Sequence, residues 1–296
     1  MENSHLSIAA LALETGIAKD TLRVWERRYG FPQPVRNARG ERLYPAQQVL
    51  RLRQVRRLLD QGLRPGQVLT LSAEALAQAI ERQSPAAEPE LALIEILKRH
   101  DEDALRQELR ARLLRDGLRQ FVTHGAASML TSVGNGWARG DVEVFEEHHF
   151  SAQLDNVLHE AIAQLPPADA TPRILLTTLS GEPHGLGLLL AHALMRLEGA
   201  TCISLGVQTP VSQIAAAAGA YRADIVALSF SVYLDAGAVR AGVRQMRLRL
   251  PAATELWCGG HGVQRLKRLP ARVTVFRSME QLSQELARWR DRERSD

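Results

Sequence analysis

A chain of 296 residues with 45% hydrophobic and 24% charged residues has the composition of a globular protein long enough for two or three domains, and none of its apolar runs reaches the roughly 18 residues that span a bilayer. Its net charge of +4 is unevenly placed: residues 1–72 carry 12 Lys and Arg against 6 Asp and Glu, a net of +6, and the remainder nets −2. That asymmetry points to an anionic polymer held at one end, while two cysteines in strand-like apolar runs, Cys202 and Cys258, argue for buried thiols in a reducing cytoplasm and against a disulfide framework.

Taken in chain order, the polar start Met1–His5 has no signal-peptide core. Ser7 caps a short helix to Thr15, Gly16 breaks it, and Ile17-Ala18 turn the chain into a second helix, Lys19 to Tyr29. Two short helices around a Gly-containing turn make a helix-turn-helix, whose second helix would enter the major groove. Arg36 and Tyr44 flank a turn through Asn37, Arg39 and Gly40. This reads as a β-hairpin wing with cationic sides, suited to phosphate. Ala46 to Gln61 then gives a helix with Val49, Leu50, Leu52, Val55, Leu58 and Leu59 inward, and Pro65 starts a short helix to Leu71.

This stretch resembles the MerR family of regulators. The run Ile8-Ala9-Ala10-Leu11-Ala12-Leu13-Glu14-Thr15-Gly16-Ile17, the run Thr21-Leu22-Arg23-Val24-Trp25-Glu26-Arg27-Arg28-Tyr29-Gly30, and Arg42-Leu43-Tyr44 all fit its pattern. The resemblance covers residues 6–72 and implies a dimeric or higher regulator on a pseudo-palindromic operator. Arg23, Arg28, Tyr29, Arg39 and Arg42 are the expected DNA contacts, and Trp25 is expected to pack beneath the wing.

Ser72 to Gln83 reads as an Ala-rich helix or linker, and Ser84-Pro85-Ala86-Ala87-Glu88-Pro89 breaks the chain. From Glu90 to Leu165 apolar residues recur at helical spacing, enough for a four-helix bundle. Within it Trp137 is followed, after nine residues, by Glu147-His148. Each alone is ordinary, a core Trp and a solvated Glu-His pair.

Residues 171–296 alternate apolar strands, at Ile174–Thr177, Thr201–Gly206, Asp224–Ser229, Glu255–Gly260 and Val273–Phe276, with helices. Continuous apolar strands of this kind argue for a parallel, doubly wound α/β sheet. Helices are expected at 186–198, 211–220, about 236–250, Val263–Lys267 and 279–290. The loop Leu179-Ser180-Gly181-Glu182-Pro183-His184-Gly185-Leu186-Gly187 leaves the first strand at its carboxyl end, where open α/β sheets bind ligands. A neutral imidazole there can ligate a metal, with Glu182 orienting it. Ser229, Ser231, Gly259 and Gly260 fall at the ends of the third and fourth strands. The pattern Gly-x-Gly-x-x-Gly of a dinucleotide fold does not follow the first strand. His192 and His261 read as surface or supporting residues.

The Glu-x-His-x-x-Gly loop resembles the cobalamin-binding loop whose His is the lower cobalt ligand, with Glu182 where Asp is commoner. Ser229 and Ser231 match that family's Ser-x-Ser or Ser-x-Leu positions, and Gly259-Gly260 its Gly-Gly. The spacing Trp, nine residues, Glu-His resembles the cap of light-responsive cobalamin-dependent regulators, in which the Trp packs against the 5′-deoxyadenosyl group. The chain as a whole thus resembles the CarH/LitR type of MerR regulator. The resemblance implies adenosylcobalamin (other cobalamin forms remaining possible), bound through His184 to cobalt. Glu182, Gly187, Ser229, Ser231, Gly259 and Gly260 would lie below the corrin, with Trp137, Val144, Glu147 and His148 above. One departure is Ala138, where some members carry a His that becomes an upper ligand after photolysis.

The expected architecture is a winged helix-turn-helix at 1–74, a linker at 75–89, a helical-bundle cap at 90–166 and a Rossmann-like cobalamin domain at 167–296. The expected function is a cytoplasmic, non-enzymatic repressor that grips double-stranded operator DNA as a dimer or tetramer in the dark, is released by light, and engages no membrane. A regulator responding to cobalamin level or another ligand without photochemistry stays open, as does a cobalamin-dependent enzyme subunit.

Overall fold

The computed structural model describes residues 5–83, 88–168, 171–231, 234–264, 266 and 270–294. It divides into two compact units, Met1–Leu105 with Ser128–Phe150, and Arg106–Ala127 with Ser151–Asp296.

The first unit opens with β1 (Leu6–Ser7) and α1 (Ile8–Thr15). Ser7 Oγ accepts from the Ala10 amide at 3.2 Å, the expected cap. After α2 (Lys19–Tyr29) the wing forms from β2 (Val35–Arg36) and β3 (Arg42–Tyr44), paired antiparallel with Val35 opposite Leu43. The Asn37 carboxamide oxygen ties the hairpin turn, accepting from the amides of Arg39 and Glu41 at 2.9 Å each. Sequence reading missed β1, a two-residue strand that pairs with the other edge of β3. A segment of that length carries no periodicity to detect.

Next come α3 (Ala46–Asp60), the short α4 (Pro65–Val68) and α5 (Ala73–Gln83). The boundary expected at residue 74 falls at the start of α5. Leu76 and Ile80 of α5 are buried in the same apolar cluster as Leu11, Leu22, Trp25, Tyr44 and Leu52, so most of the expected linker is a helix held by that core. Residues 84–87 of the expected chain break lie outside the described residues. Trp25 is buried, as expected.

Four helices follow: α6 (Glu88–Lys98), α7 (Glu102–Gln120), α8 (Ala126–Arg139) and α9 (Val144–Ala163). One turn of π-helix, Phe121–Gly125, joins α7 to α8. These helices do not form a unit of their own. The boundaries at Leu105, Ala127 and Phe150 cut α7, α8 and α9, sharing them between the two units.

The second unit carries the sheet. Its strands are β4 (Arg173–Thr177), β5 (Thr201–Ser204), β6 (Ile225–Ser229), β7 (Glu255–Gly259) and β8 (Val273–Val275). All pairings are parallel, in the order β5-β4-β6-β7-β8. The chain steps outward from β4 to β5, then back across it to β6, so the strand order reverses at β4. That reversal opens the crevice at the carboxyl ends of β4 and β6. The connecting helices are α10 (Leu186–Leu197), α11 (Val211–Ala220), α12 (Ala236–Arg249) and α13 (Met279–Glu293). In place of the helix expected from Val263 to Lys267, a 3-10 turn spans His261–Val263. Arg265 and Lys267 lie outside the described residues.

Strand interiors such as Ile174, Leu175, Leu176, Val226 and Leu256 are fully buried, which accounts for their unbroken apolar sequence. Cys202 and Cys258 are free thiols. Burial pushes Cys202 up to about 12 and Cys258 higher still, so both stay protonated. Among the described residues, no helix is long and apolar enough to cross a membrane.

Candidate cobalamin site and DNA-binding head

The loop after β4 is built from buried polar groups. Thr178 and Glu182 are both fully buried. The Thr178 hydroxyl donates to the Glu182 carbonyl at 2.6 Å and accepts from the Gln208 amide at 2.8 Å. The Glu182 amide donates back to the Leu179 carbonyl at 3.0 Å. The loop is thereby fixed before any ligand arrives.

Glu182 uses both carboxylate oxygens. Oε1 accepts from the His184 amide at 3.1 Å and from His184 Nδ1 at 2.7 Å. Oε2 accepts from the Ser231 amide and hydroxyl, both at 2.7 Å. Burial alone would raise the Glu182 pKa. The hydrogen bonds from His184 and Ser231 outweigh it and hold the carboxyl below its ordinary value. Glu182 therefore stays ionised, and a carboxylate only accepts, so His184 Nδ1 carries a proton toward it and the neutral form of the ring has its lone pair on Nε2. The imidazole itself is nearly half exposed. A half-exposed ring oriented through Nδ1 by a buried carboxylate is a metal-ligand arrangement.

The neighbouring positions converge on this loop. Ser229 stands opposite Gly259 at the last rung between β6 and β7. A Cβ on Gly187 would lie 3.4 Å from Ser229 Oγ, and one on Gly185 would lie 3.0 Å from Val207 Cγ1. The two members of the Gly-Gly pair differ. Gly259 has open space where a side chain would go, whereas Gly260 has φ +90° and a Cβ there would lie 2.3 Å from the Phe230 carbonyl oxygen. Gly260 thus serves backbone packing, and Gly259 is the one facing free volume. His261 is exposed at the start of the 3-10 turn. His192 is largely buried on α10, and desolvation lowers its pKa to about 4, keeping it neutral.

In the first unit, Trp137 lies in the last turn of α8, ahead of a turn at Gly140 whose amide donates to the Trp137 carbonyl. Val144 and Glu147 are half-buried and His148 exposed. His148 Nδ1 donates to Glu147 Oε2 at 2.8 Å. Ala138 is fully buried in the head's apolar cluster, and Trp137 packs against the same cluster. Sequence reading passed over Glu146. This buried carboxylate caps the start of α9, accepting from the Glu143 amide at 2.8 Å, and bonds His100 Nε2 at 2.9 Å.

In the head, Arg23 and Arg39 are exposed, Arg23 beside Asp20 at 3.1 Å. The Arg28 guanidinium lies 5.3 Å over the half-buried Tyr29 ring. Arg42 is partly buried and paired with Glu26 at 3.2 Å, joining wing to α2. These five side chains sit on α2 and the wing, the two elements expected to meet DNA.

Comparisons with known proteins bear on both ends. Residues 6–74 match the MerR HTH family regulatory protein model, and residues 172–287 match the B12 binding domain. The chain is 32% identical over 265 residues to the HTH-type transcriptional repressor CarA of Myxococcus xanthus, covering 88% of each chain. The chain belongs to the CarA family of HTH-type transcriptional repressors. It is also 27% identical to the repressor CarH of the same organism, over 88% of this chain and 90% of that one. The Methanosarcina barkeri monomethylamine corrinoid protein shares the fold of 66% of this chain and 94% of its own, with a TM-score of 0.53 and 12% identity.

Against that family background the β4 loop fits a cobalamin. Its donor is an imidazole nitrogen, which suits cobalt. Ser229 and Gly187 lie side by side, and Gly259 faces open volume. Thr178 was missed by sequence reading of this CarA-family chain. Nothing distinguishes a buried loop Thr from an exposed one until the fold places its hydroxyl between Glu182 and Gln208.

Proposed function

We propose that this chain is a cobalamin-dependent transcriptional repressor that uses adenosylcobalamin as its light-sensing cofactor. The observation carrying the reading is the Ser231–Glu182–His184 relay at the switch point of the sheet, in a chain whose other end is a MerR-type head. His184 Nε2 would hold the cobalt of the bound cobalamin. Glu182 fixes the tautomer, and Ser231 fixes Glu182. Ser229, Gly187 and Gly259 border the nucleotide tail, while Gly260 supports that border through its approach to Phe230. The resemblance in sequence supports Trp137, Val144, Glu147 and His148 as the residues of the upper face. Bound adenosylcobalamin supplies the one chemistry the side chains lack, a light-cleavable cobalt–carbon bond.

In the dark the loaded chain forms an oligomer, a dimer or tetramer, that holds operator DNA through Arg23, Arg28, Tyr29, Arg39 and Arg42. Light loosens the oligomer, and linked DNA contacts lose their effective concentration. A second reading, a sensor of cofactor level without photochemistry, is favoured by one observation. Ala138 occupies the position after the Trp and is fully buried, so no upper ligand comes from there. The test is the absorption spectrum and native mass of the protein loaded with adenosylcobalamin in the dark, before and after green light. A bound spectrum that changes, with the oligomer dissociating, is the expected result. Bound cobalamin with unchanged mass after light selects the second reading. No binding overturns both.

A further inference from the structure

The first unit holds a polar assembly that neither the cobalamin site nor the DNA contacts use. Leu50, Arg53 and Arg57 lie on one face of α3, at spacings of three and four residues. Arg53 is buried, which is rare for Arg unless it is paired. It bonds Glu14 of α1 and, at 3.1 Å, Glu143 at the start of α9. Its guanidinium lies 5.9 Å over the Trp137 ring. One turn on, Arg57 Nε donates to Asn135 Oδ1 at 2.7 Å, and another of its guanidinium nitrogens to the Thr131 carbonyl at 3.0 Å.

The receiving face of α8 is shaped for this approach. A Cβ on Gly134 would lie 3.0 Å from the Arg57 guanidinium, and one on Gly140 would lie 3.2 Å from Leu50 Cδ1. Ala138 is fully buried with Leu11, Leu22, Trp25 and Leu52. The last turn of α8 is therefore part of the head's core and not a tether to it.

We propose that Arg53 and Arg57 form a clasp through which cobalamin bound against Trp137 controls the DNA-binding head. The inference rests on the cofactor reading above and adds its route of regulation. Trp137 cannot shift without disturbing the charge over its ring, and α8 cannot rotate without breaking the bonds to Asn135 and Thr131. Removing one partner from a buried charged group is costly, so such packed faces move between discrete arrangements. Arg53 and Arg57 are positioning residues. They touch neither DNA nor cofactor in this scheme, and they link Trp137 through α3 to α1 and the core beneath α2.

The test is amide hydrogen exchange on the full chain, with and without adenosylcobalamin in the dark, for wild type and for Arg53→Met/Arg57→Met. In wild type the cofactor slows exchange over residues 126–139 and, by at least about 5-fold, over residues 46–60, the lower end of ordinary coupling. In the double variant the bound-cobalamin spectrum and the response over 126–139 persist, and the response over 46–60 is lost. Gly134→Ala improves helix propensity, so it keeps the fold while pushing on the Arg57 guanidinium. It should reduce the 46–60 response and leave the spectrum intact. The clasp is overturned if residues 46–60 respond in the double variant as in wild type, or if they do not respond in a wild type that binds cobalamin. A wild type with no bound-cobalamin spectrum overturns the cofactor reading itself, and the clasp with it.

Discussion

Fully buried Glu182 and nearly half-exposed His184 are joined by a 2.7 Å bond from Nδ1 to Oε1, so the carboxylate engages the ring through Nδ1 and not through Nε2. Two more hydrogen bonds from Ser231, to Oε2, hold the carboxylate in place. A Gln at 182 has one acceptor oxygen and an amide that only donates, so it cannot serve His184 and Ser231 together. Glu182→Gln should weaken cobalamin binding by roughly 10–100-fold, the usual cost of losing a partner to a metal-bound His. Ser231→Ala should cost less, since the Ser231 amide remains. Titration followed by the cobalamin absorption spectrum measures both. Unchanged affinity in Glu182→Gln would exclude the relay as the support of the ligand.

The same carboxylate sets a pH dependence. Its pKa in the folded chain lies below the ordinary Glu value, because the bonds from His184 and Ser231 outweigh burial. A depressed folded pKa means that the ionised form stabilises the fold. That contribution is complete above the unfolded pKa of about 4.3 and is lost as pH falls through the folded value. The contribution of the Glu182 carboxylate to the stability difference between wild type and Glu182→Gln should therefore be complete by about pH 5 and shrink below roughly pH 4. Chemical denaturation of the cobalamin-free chain across that range checks it.

Gly259 and Gly260 separate folding from ligand binding. Gly260 is left-handed, and a Cβ there would collide with the Phe230 carbonyl oxygen. Gly260→Ala should destabilise the chain by about 2–4 kcal/mol, combining backbone strain with a forced main-chain shift. Gly259 has a free Cβ direction and no positive φ. Gly259→Leu should leave the unfolding midpoint of the cobalamin-free chain nearly unchanged and reduce cobalamin affinity by at least about tenfold, by the bulk it adds to the crevice. A Leu variant that binds normally would place the cofactor's tail elsewhere.

The parts of this fold legible in the sequence are those with long-range pattern or local chemistry. The buried strands around Leu175, Val226 and Leu256 announce themselves as apolar runs because both sheet faces are covered. The relay was half legible: Glu182 and His184 are two residues apart, but Ser231 joins them only through the parallel pairing of β4 with β6. Ser231 was expected below the corrin, and in the fold its hydroxyl donates to Glu182. The packing of Leu76 and Ile80 into the head's cluster was hidden because such residues, in an Ala-rich stretch, look alike in a tethering helix and a core helix. Arg53 and Arg57 were invisible for a related reason. Arginines on an amphipathic helix read as solvated until tertiary contacts bury them.

The head's arginines should divide into two classes. Arg23 and Arg39 are exposed, so replacing either by Ala should leave stability within about 0.5 kcal/mol. If each meets a phosphate, each loss should lower the slope of log affinity against log salt by about 1. Arg42 is different, because its guanidinium is half-buried and held by Glu26 at 3.2 Å, fixing the wing to α2. Arg42→Ala should cost up to about 1 kcal/mol of stability in addition to DNA affinity. Glu26→Gln, which loosens Arg42 without removing it, separates the two effects. If Arg42 acts mainly by holding the wing, Glu26→Gln should weaken DNA binding as well. If Arg42 acts only as a phosphate contact, Glu26→Gln should leave binding unchanged or strengthen it, since a competing carboxylate is gone. Salt-dependent binding isotherms on a duplex selected from random sequence by the wild-type chain, paired with thermal melts, decide between these outcomes.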